Sequence, residues 1–267
     1  GLSCGAVPLY GGILLSLERM NRILEIDREN MMVVVEPGVV TNDINEAIKE
    51  YGLFYAGYPM SVELCFVGGN VAENAGGGRA IKYGVTGHYV LGLEVVLPSG
   101  EILNTGSKSL RRMAGTDLSQ YFIGGDGLLG MITGVRMRLV PLFANAYGVA
   151  FFKDLESLAR AVQRVYWEAI PPLFLELLDK RTGEIGFEIQ GLPKPPGPLV
   201  MFHAIGIREE EATYKIESIV KALRKENPVE ARSVTDIEEW RKIWLSRESA
   251  LPYVCQGGKG VFGISEV

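Results

Sequence analysis

Histidine is nearly missing from this 267-residue chain. There are only His88 and His203, too few for a histidine-rich metal site or for catalysis by several histidines in the chain taken alone. Cysteine is scarce as well. Cys4, Cys65 and Cys255 stand far apart without ligand spacing, which fits a reducing compartment better than a disulfide framework. A basic surplus is absent: 27 Lys and Arg face 32 Asp and Glu, so nucleic acid and anionic membrane surfaces are not expected partners. Long apolar runs are lacking too. Residues 31–35 and 93–98 are strand-sized, far short of the roughly 20 residues a membrane-spanning helix needs. Residue 1 is not followed by a charged leader and an apolar stretch, so secretion has no support and a cytoplasmic place is expected.

Two nucleotide-binding units are also missing. The order Gly124-x-Asp126-Gly127-x-x-Gly130 enters a strand, not a helix, so a Rossmann helix dipole is not expected to hold a phosphate here. No Gly-Lys-Ser/Thr follows any glycine cluster, which excludes a P-loop.

What is present is a large apolar fraction, 47%, enough for one large domain or two. Glycine is uneven: 23 of the 33 precede residue 143. The first half alternates strands and turns. Residues 12–17 and 31–36 read as β-rich runs around a charged turn at 27–30. Thr41 reads as the N-cap of a helix over 42–51, with Ile44, Ala47 and Ile48 on one face and Gly52 as its stop. Residues 91–97 and 101–104 form a hairpin around Pro98-Ser99-Gly100, and 131–140 alternates as another strand.

The second half has longer elements. A strand at 147–152 leads through Asp154, a good cap, into a helix at 155–168. Strands at 173–178 and 199–205 follow, then a charged helix at 209–226 with an apolar stripe of Ala212, Ile216, Ile219, Val220 and Leu223. Strand–helix–strand–strand–helix suggests a ferredoxin-like α+β layer, and the boundary falls near 141–145. Domains of 1–142 and 143–267 are expected.

The densest chemical signal is the stretch 67–79, with five glycines and two asparagines in its last twelve residues. Glycines let backbone approach a ligand, and successive N–H groups can form an anion-binding concavity. A surface turn is the plainer alternative, but the apolar lead-in and the strand soon after favour a cofactor cradle. A second cluster runs from Gly124 to Gly130, and Gly1 and Gly5 make a third. His88 is the better placed histidine for a ligand, although an ordinary loop histidine is the plainer reading; His203 alternates with Phe202 and Ala204 as a structural residue. Cys65 reads as a small buried thiol, and Glu73 as either a ligand contact or a solvent-facing acid. The segment 240–248 reads as an amphipathic helix. Its Arg247 either clamps a substrate carboxylate bidentately or pairs with Glu248 or Glu239.

Gly1 to Pro8, Leu17-Glu18-Arg19-Met20-Asn21-Arg22-Ile23, Val35-Glu36-Pro37-Gly38-Val39, the 68–77 cluster, Lys82-Tyr83-Gly84-Val85-Thr86, Leu91-Gly92-Leu93-Glu94-Val95-Val96-Leu97 and 127–133 form an ordered series. That series resembles the FAD-linked oxidase family of the glycolate oxidase flavin subunit and D-lactate dehydrogenases. The resemblance covers the first 142 residues almost continuously and the rest through weaker motifs. It implies a vanillyl-alcohol-oxidase or PCMH-type FAD-binding domain without a Rossmann unit, followed by a ferredoxin-like substrate-side domain. By that similarity Gly1, Leu2, Ser3 and Gly5 end a pyrophosphate loop. Gly68, Gly69, Asn70, Asn74, Gly76 and Gly77 line the flavin and diphosphate, Tyr83, Gly84 and Val85 follow the cofactor, and Gly127 and Ile132 meet it from the far loop. Where the family has Glu-Gly-Thr-Leu-Gly this chain has Asp126-Gly127-Leu128-Leu129-Gly130, so a side-chain contact from residue 128 is not carried over.

The implied reaction is oxidation of a small D-2-hydroxy acid, with Arg247 on its carboxylate and with an iron–sulfur subunit, an electron-transferring flavoprotein or a quinone taking the electrons. Peripheral attachment to the inner membrane would run through such a partner. Both ends read as cut: 1–8 is a loop in progress, and 260–267 an alternating strand without a cap. Each domain is therefore expected to be partial, with the base and any metal site beyond Val267 and with strand ends that could pair in a homo-oligomer. The rival readings are a non-catalytic flavoprotein fragment serving as an interaction module and a nucleotide-sugar reductase using NADPH.

Overall fold

The computed structural model describes residues 7–256 apart from 58, 60, 111–114, 169 and 171, with the side chains of 251–256 also left aside. Chain contacts divide it into two compact units, Gly1–Leu142 and Phe143–Val267, each with its own core.

In the first unit the elements run β1 (Ile23–Asp27), β2 (Met32–Val35), α1 (Thr41–Ile48), β3 (Leu53–Phe54), α2 (Val67–Glu73), α3 (Ala80–Tyr83), β4 (Val90–Val96), β5 (Ile102–Asn104), α4 (Ser119–Phe122), β6 (Met131–Arg138) and β7 (Val140–Pro141). Among the described residues they form an antiparallel five-stranded sheet in the order β1-β2-β6-β4-β5 and a small β3–β7 pair. Alternation dictates the buried face. Val33 and Val35, Leu93 and Val95, and Ile132, Val135 and Met137 meet Ile44 and Ile48 of α1 and Val67 and Val71 of α2. The turn between β1 and β2 is closed by Asp27, whose carboxylate accepts from the Asn30 backbone N–H (3.0 Å) and side-chain amide (2.8 Å).

Two local expectations are corrected. Residues 12–17 form no strand; Ile13 and Leu14 are exposed, and β2 lies between β6 and β1, whose Ile23 and Ile26 reach the core. Thr41 does not cap α1. The chain enters that helix from a bridge between Val40 and Phe66, so Thr41 is already its first residue and wholly buried, its N–H donating to the Cys65 carbonyl at 3.0 Å. Gly52 does stop the segment, in the left-handed region at φ 66°.

The second unit runs β8 (Ala144–Phe151), α5 (Leu155–Trp167), β9 (Phe174–Leu178), α6 (Lys180–Ile189), β10 (Leu199–Gly206), α7 (Glu209–Arg224), β11 (Glu230–Val234) and α8 (Ile237–Gln256). Its antiparallel sheet has the order β11-β8-β10-β9, the fourth-first-third-second arrangement of a ferredoxin-like layer, with α6 inserted in the chain between β9 and β10. Neither α6 nor β11 was expected from the sequence. Asp154 caps α5 by accepting from the Ser157 N–H at 2.7 Å, and Asp179 caps α6 through the Thr182 N–H at 2.9 Å. Ala150, Val200, Phe202 and Ala204 pack with Leu158, Ile216, Ile219 and Leu223 of α5 and α7. Toward α8, Tyr147 stacks on Trp240 (centroids 4.7 Å, 17°) and Phe174 meets Trp244 (4.7 Å). The strand β10 is buried along its whole length. Among the described residues no helix is long and apolar enough to cross a membrane.

Candidate functional site

In the first unit two of the three glycine clusters, 67–79 and 124–130, meet at α2. Gly68, Gly69 and Asn70 lie in that helix rather than in a loop. A Cβ on Gly68 would come 2.5 Å from the Pro37 Cβ, so this glycine serves close packing, whereas Gly69 is exposed with open space beside it. Asn70 is buried; its amide donates to Thr41 Oγ1 at 2.7 Å and to Cys65 Sγ at 3.4 Å. The Cys65 thiol therefore belongs to a small internal polar cluster. Asn74 ends α2 in the left-handed region (φ 52°), and its Oδ1 accepts from the Gly87 N–H at 2.8 Å.

The second cluster docks on the same helix end. Gly124 (φ 71°) donates to the Val71 carbonyl at 3.0 Å, and Asp126 donates to the Ala72 carbonyl at 2.9 Å. Thr86, which sequence reasoning did not single out, is fully buried and ties the third segment in, its hydroxyl donating to Ala75 O (2.7 Å) and Gly57 O (3.2 Å). Only its position within the Gly84–Gly87 turn hinted at that role. Gly84 is at φ 76°, where a Cβ would run into the His88 imidazole; His88 Nδ1 accepts from the Val85 N–H at 3.1 Å, so this histidine fixes the turn. Tyr83 packs edge-on against Tyr89, and burial raises its phenol above the ordinary value. Ile132 is a core residue of β6, and Gly1, Leu2, Ser3 and Gly5 lie outside the described residues.

The result is a rim of backbone with few side chains. Among the described residues, and apart from the adjoining backbone, no heavy atom lies within 4 Å of where a Cβ would stand on Gly69 or Gly127, and Gly76 and Gly77 are half-exposed. Such a rim fits a planar, heteroatom-rich dinucleotide laid along main-chain amides and carbonyls.

In the second unit, α8 carries Arg247, whose side chain is only 14% exposed and ion-paired with Glu176 of β9 at 2.8 Å between Nε and Oε1. Its guanidinium lies 5.8 Å from the Trp244 ring centre. Glu248 and Glu239, the pairing partners suggested by the sequence, are used elsewhere: Glu248 accepts from Trp244 Nε1 (2.9 Å) and Glu239 pairs with Arg232 (2.6 Å). His203 is buried, with Nε2 2.8 Å from Asn145 Oδ1 and its ring against Tyr147.

These features sit in a recognised class. The FAD binding domain family matches residues 1–106, and the C-terminal domain of the FAD linked oxidases matches residues 144–266. The chain belongs to the FAD-linked oxidases, a family of FAD-dependent oxidoreductases, and its cofactor is FAD. Among its relatives, the glycolate oxidase subunit GlcD of Bacillus subtilis (strain 168) is 38% identical over 252 residues, covering 92% of this chain and 53% of that one. A D-lactate dehydrogenase of Anaerostipes hadrus is 38% identical over 183 residues, covering 68% and 38%. A solved p-cresol methylhydroxylase shares the fold, with a TM-score of 0.70 at 18% identity over 90% of this chain and 54% of that one. The chain thus spans about half the length of the curated relatives it matches. A PCMH-type FAD-binding domain followed by an oxidase C-terminal domain is the architecture the resemblance implied.

Proposed function

We propose that the protein to which this sequence belongs oxidises a small D-2-hydroxy acid, glycolate or D-lactate, to the 2-oxo acid. The observation that carries this reading is that 38% identity to a glycolate oxidase subunit runs over 92% of the chain, through both units. FAD, when bound, supplies the hydride acceptor. The exposed and half-exposed backbone of Gly69, Asn74, Gly76, Gly77, Tyr83, Gly84, Val85 and Gly127 would hold it, joined by Gly1, Leu2, Ser3 and Gly5, with the buried Gly68, Asn70 and Ile132 supporting that rim from the core side. Arg247 binds the substrate carboxylate through a planar, permanently charged fork matched to two oxygens. Electrons then pass to an iron–sulfur subunit, an electron-transferring flavoprotein or a quinone, and the protein works in the cytoplasm, at the inner membrane only through such a partner.

The test is an absorption spectrum after FAD is added and the protein desalted, followed by anaerobic addition of glycolate or D-lactate. Retained flavin bands that bleach with one of these acids are expected. Retained flavin that neither acid bleaches would overturn the substrate assignment.

A further inference from the structure

The guanidinium of Arg247 is divided in its commitments. Nε is buried and faces the Glu176 carboxylate at 2.8 Å in an ion pair; no acceptor stands in line with its N–H. The two terminal nitrogens make no hydrogen bond among the described residues. Beneath the guanidinium lies Trp244, itself fixed at both ends, by its Nε1–H on Glu248 Oε1 (2.9 Å) and by its ring against Phe174 (4.7 Å) and Trp240 (6.1 Å). Glu176 comes from β9 and Trp244 from the same helix as Arg247, so a strand and a helix together set the direction of the fork.

From this arrangement we infer that Glu176 is the positioning residue for substrate binding: it anchors Nε so that the two Nη groups of Arg247 stay presented to an incoming carboxylate. The inference rests on the reading of Arg247 given above and adds to it the residue that makes the clamp rigid. An arginine side chain loses much rotamer freedom on binding, and a fork held beforehand loses less of it at the moment the ligand arrives. Glu176 also offsets the charge of a poorly hydrated guanidinium, at the expense of some attraction for the substrate anion. Orientation and attraction therefore pull in opposite directions, and the sign of the effect on affinity separates them.

The experiment uses the 267-residue chain and glycolate as the probe, with binding read from tryptophan emission; Trp244→Phe identifies the part of the signal that comes from the ring beneath Arg247. Glu176→Ala is expected to weaken glycolate binding by about tenfold, the scale of one charge-assisted contact. Glu176→Asp, which keeps the carboxylate, should restore part of the loss, and far-UV circular dichroism should match for all variants. Unchanged or tighter binding in both Glu176 variants, with Arg247→Lys binding weakly, would overturn the positioning role while leaving Arg247 as the clamp. A wild-type chain that gives no response to millimolar glycolate, or an Arg247→Lys variant that binds as well as the wild type, would overturn the reading of Arg247 itself.

Discussion

Gly68 and Gly69 are chain neighbours in α2 with opposite demands on space. A methyl group on Gly68 would strike Pro37, whereas one on Gly69 would meet nothing. Gly68→Ala should therefore destabilise the first unit by about 1–3 kcal/mol through overpacking, while Gly69→Ala should stabilise the helix by about 0.5–1 kcal/mol. Urea denaturation checks both. If Gly69 is left bare for the cofactor, its alanine variant gains stability and loses FAD affinity together. Gain in stability with unchanged FAD affinity would remove Gly69 from the cradle. Glycine density in the sequence pointed to this place, but it could not separate these two residues. What separates them is Pro37, thirty-one positions upstream, which only the folded chain brings against one of the pair. The Arg247–Glu176 ion pair escaped for the same reason: the sequence offers Glu248 and Glu239, acids of the same helix, and a strand seventy-one positions away supplies the actual partner.

At the scale of elements, caps and alternating strands were legible because their causes are local. Asp154 begins α5 as its position before an amphipathic stretch implied, and the hairpin of β4 and β5 turns at Pro98-Ser99-Gly100. The helix α2 was not legible, since two glycines in its first turn carry low helix propensity and tertiary bonds from Gly124 and Asp126 to its end help hold it. Residues 12–17 misled in the other direction: an apolar, β-rich stretch becomes a strand only where a partner lies beside it. The Asp154 cap has a pH signature. The Ser157 N–H and hydroxyl hold its carboxyl below the usual carboxylate range. A depressed folded-state pKa means the cap's contribution is complete above the unfolded value, about 4, and fades as pH falls through the lower folded value. Thermal melts from neutral pH downward should show that loss, and Asp154→Asn, which keeps an acceptor but cannot titrate, should flatten this part of the acid limb. An acid limb identical in wild type and variant would show that Asp154 is not among the groups that set it.

At the scale of the whole molecule, each unit buries its own core, one around Ile44, Val71 and Val135 and the other around Leu158, Phe202 and Ile219. A cavity in one core should therefore act mainly on that unit. Leu158→Ala in α5 and Ile44→Ala in α1 should each cost about 2–5 kcal/mol, read as the selective lowering of one of two calorimetric transitions. A single transition that shifts intact in both variants would mean that the units unfold as one. The two-part architecture was readable in advance from the glycine gradient and the change in element length. The ferredoxin-like strand order was readable only in outline, because β11 is short and half-exposed, with charged residues at alternate positions that give no continuous apolar run.

The fully enclosed strand β10 has a consequence for how the polypeptide is made. Its eight residues, from Leu199 to Gly206, are buried, paired along one edge with β8 over their whole length and along the other with β9 from Leu199 to His203. As the chain leaves the ribosome, β8 and β9 are already out when β10 appears, so its hydrogen-bonding edges can be satisfied at once. The outer edge of β8 must wait for β11, and one face of β10 waits for α7. During that interval the nascent chain displays an open strand edge beside a run of apolar side chains, the combination that recruits chaperones or seeds association between neighbouring nascent chains. Pauses in translation that leave β8 to β10 outside the ribosome while β11 is still inside it should therefore lower the yield of folded protein more than pauses after β11 has emerged.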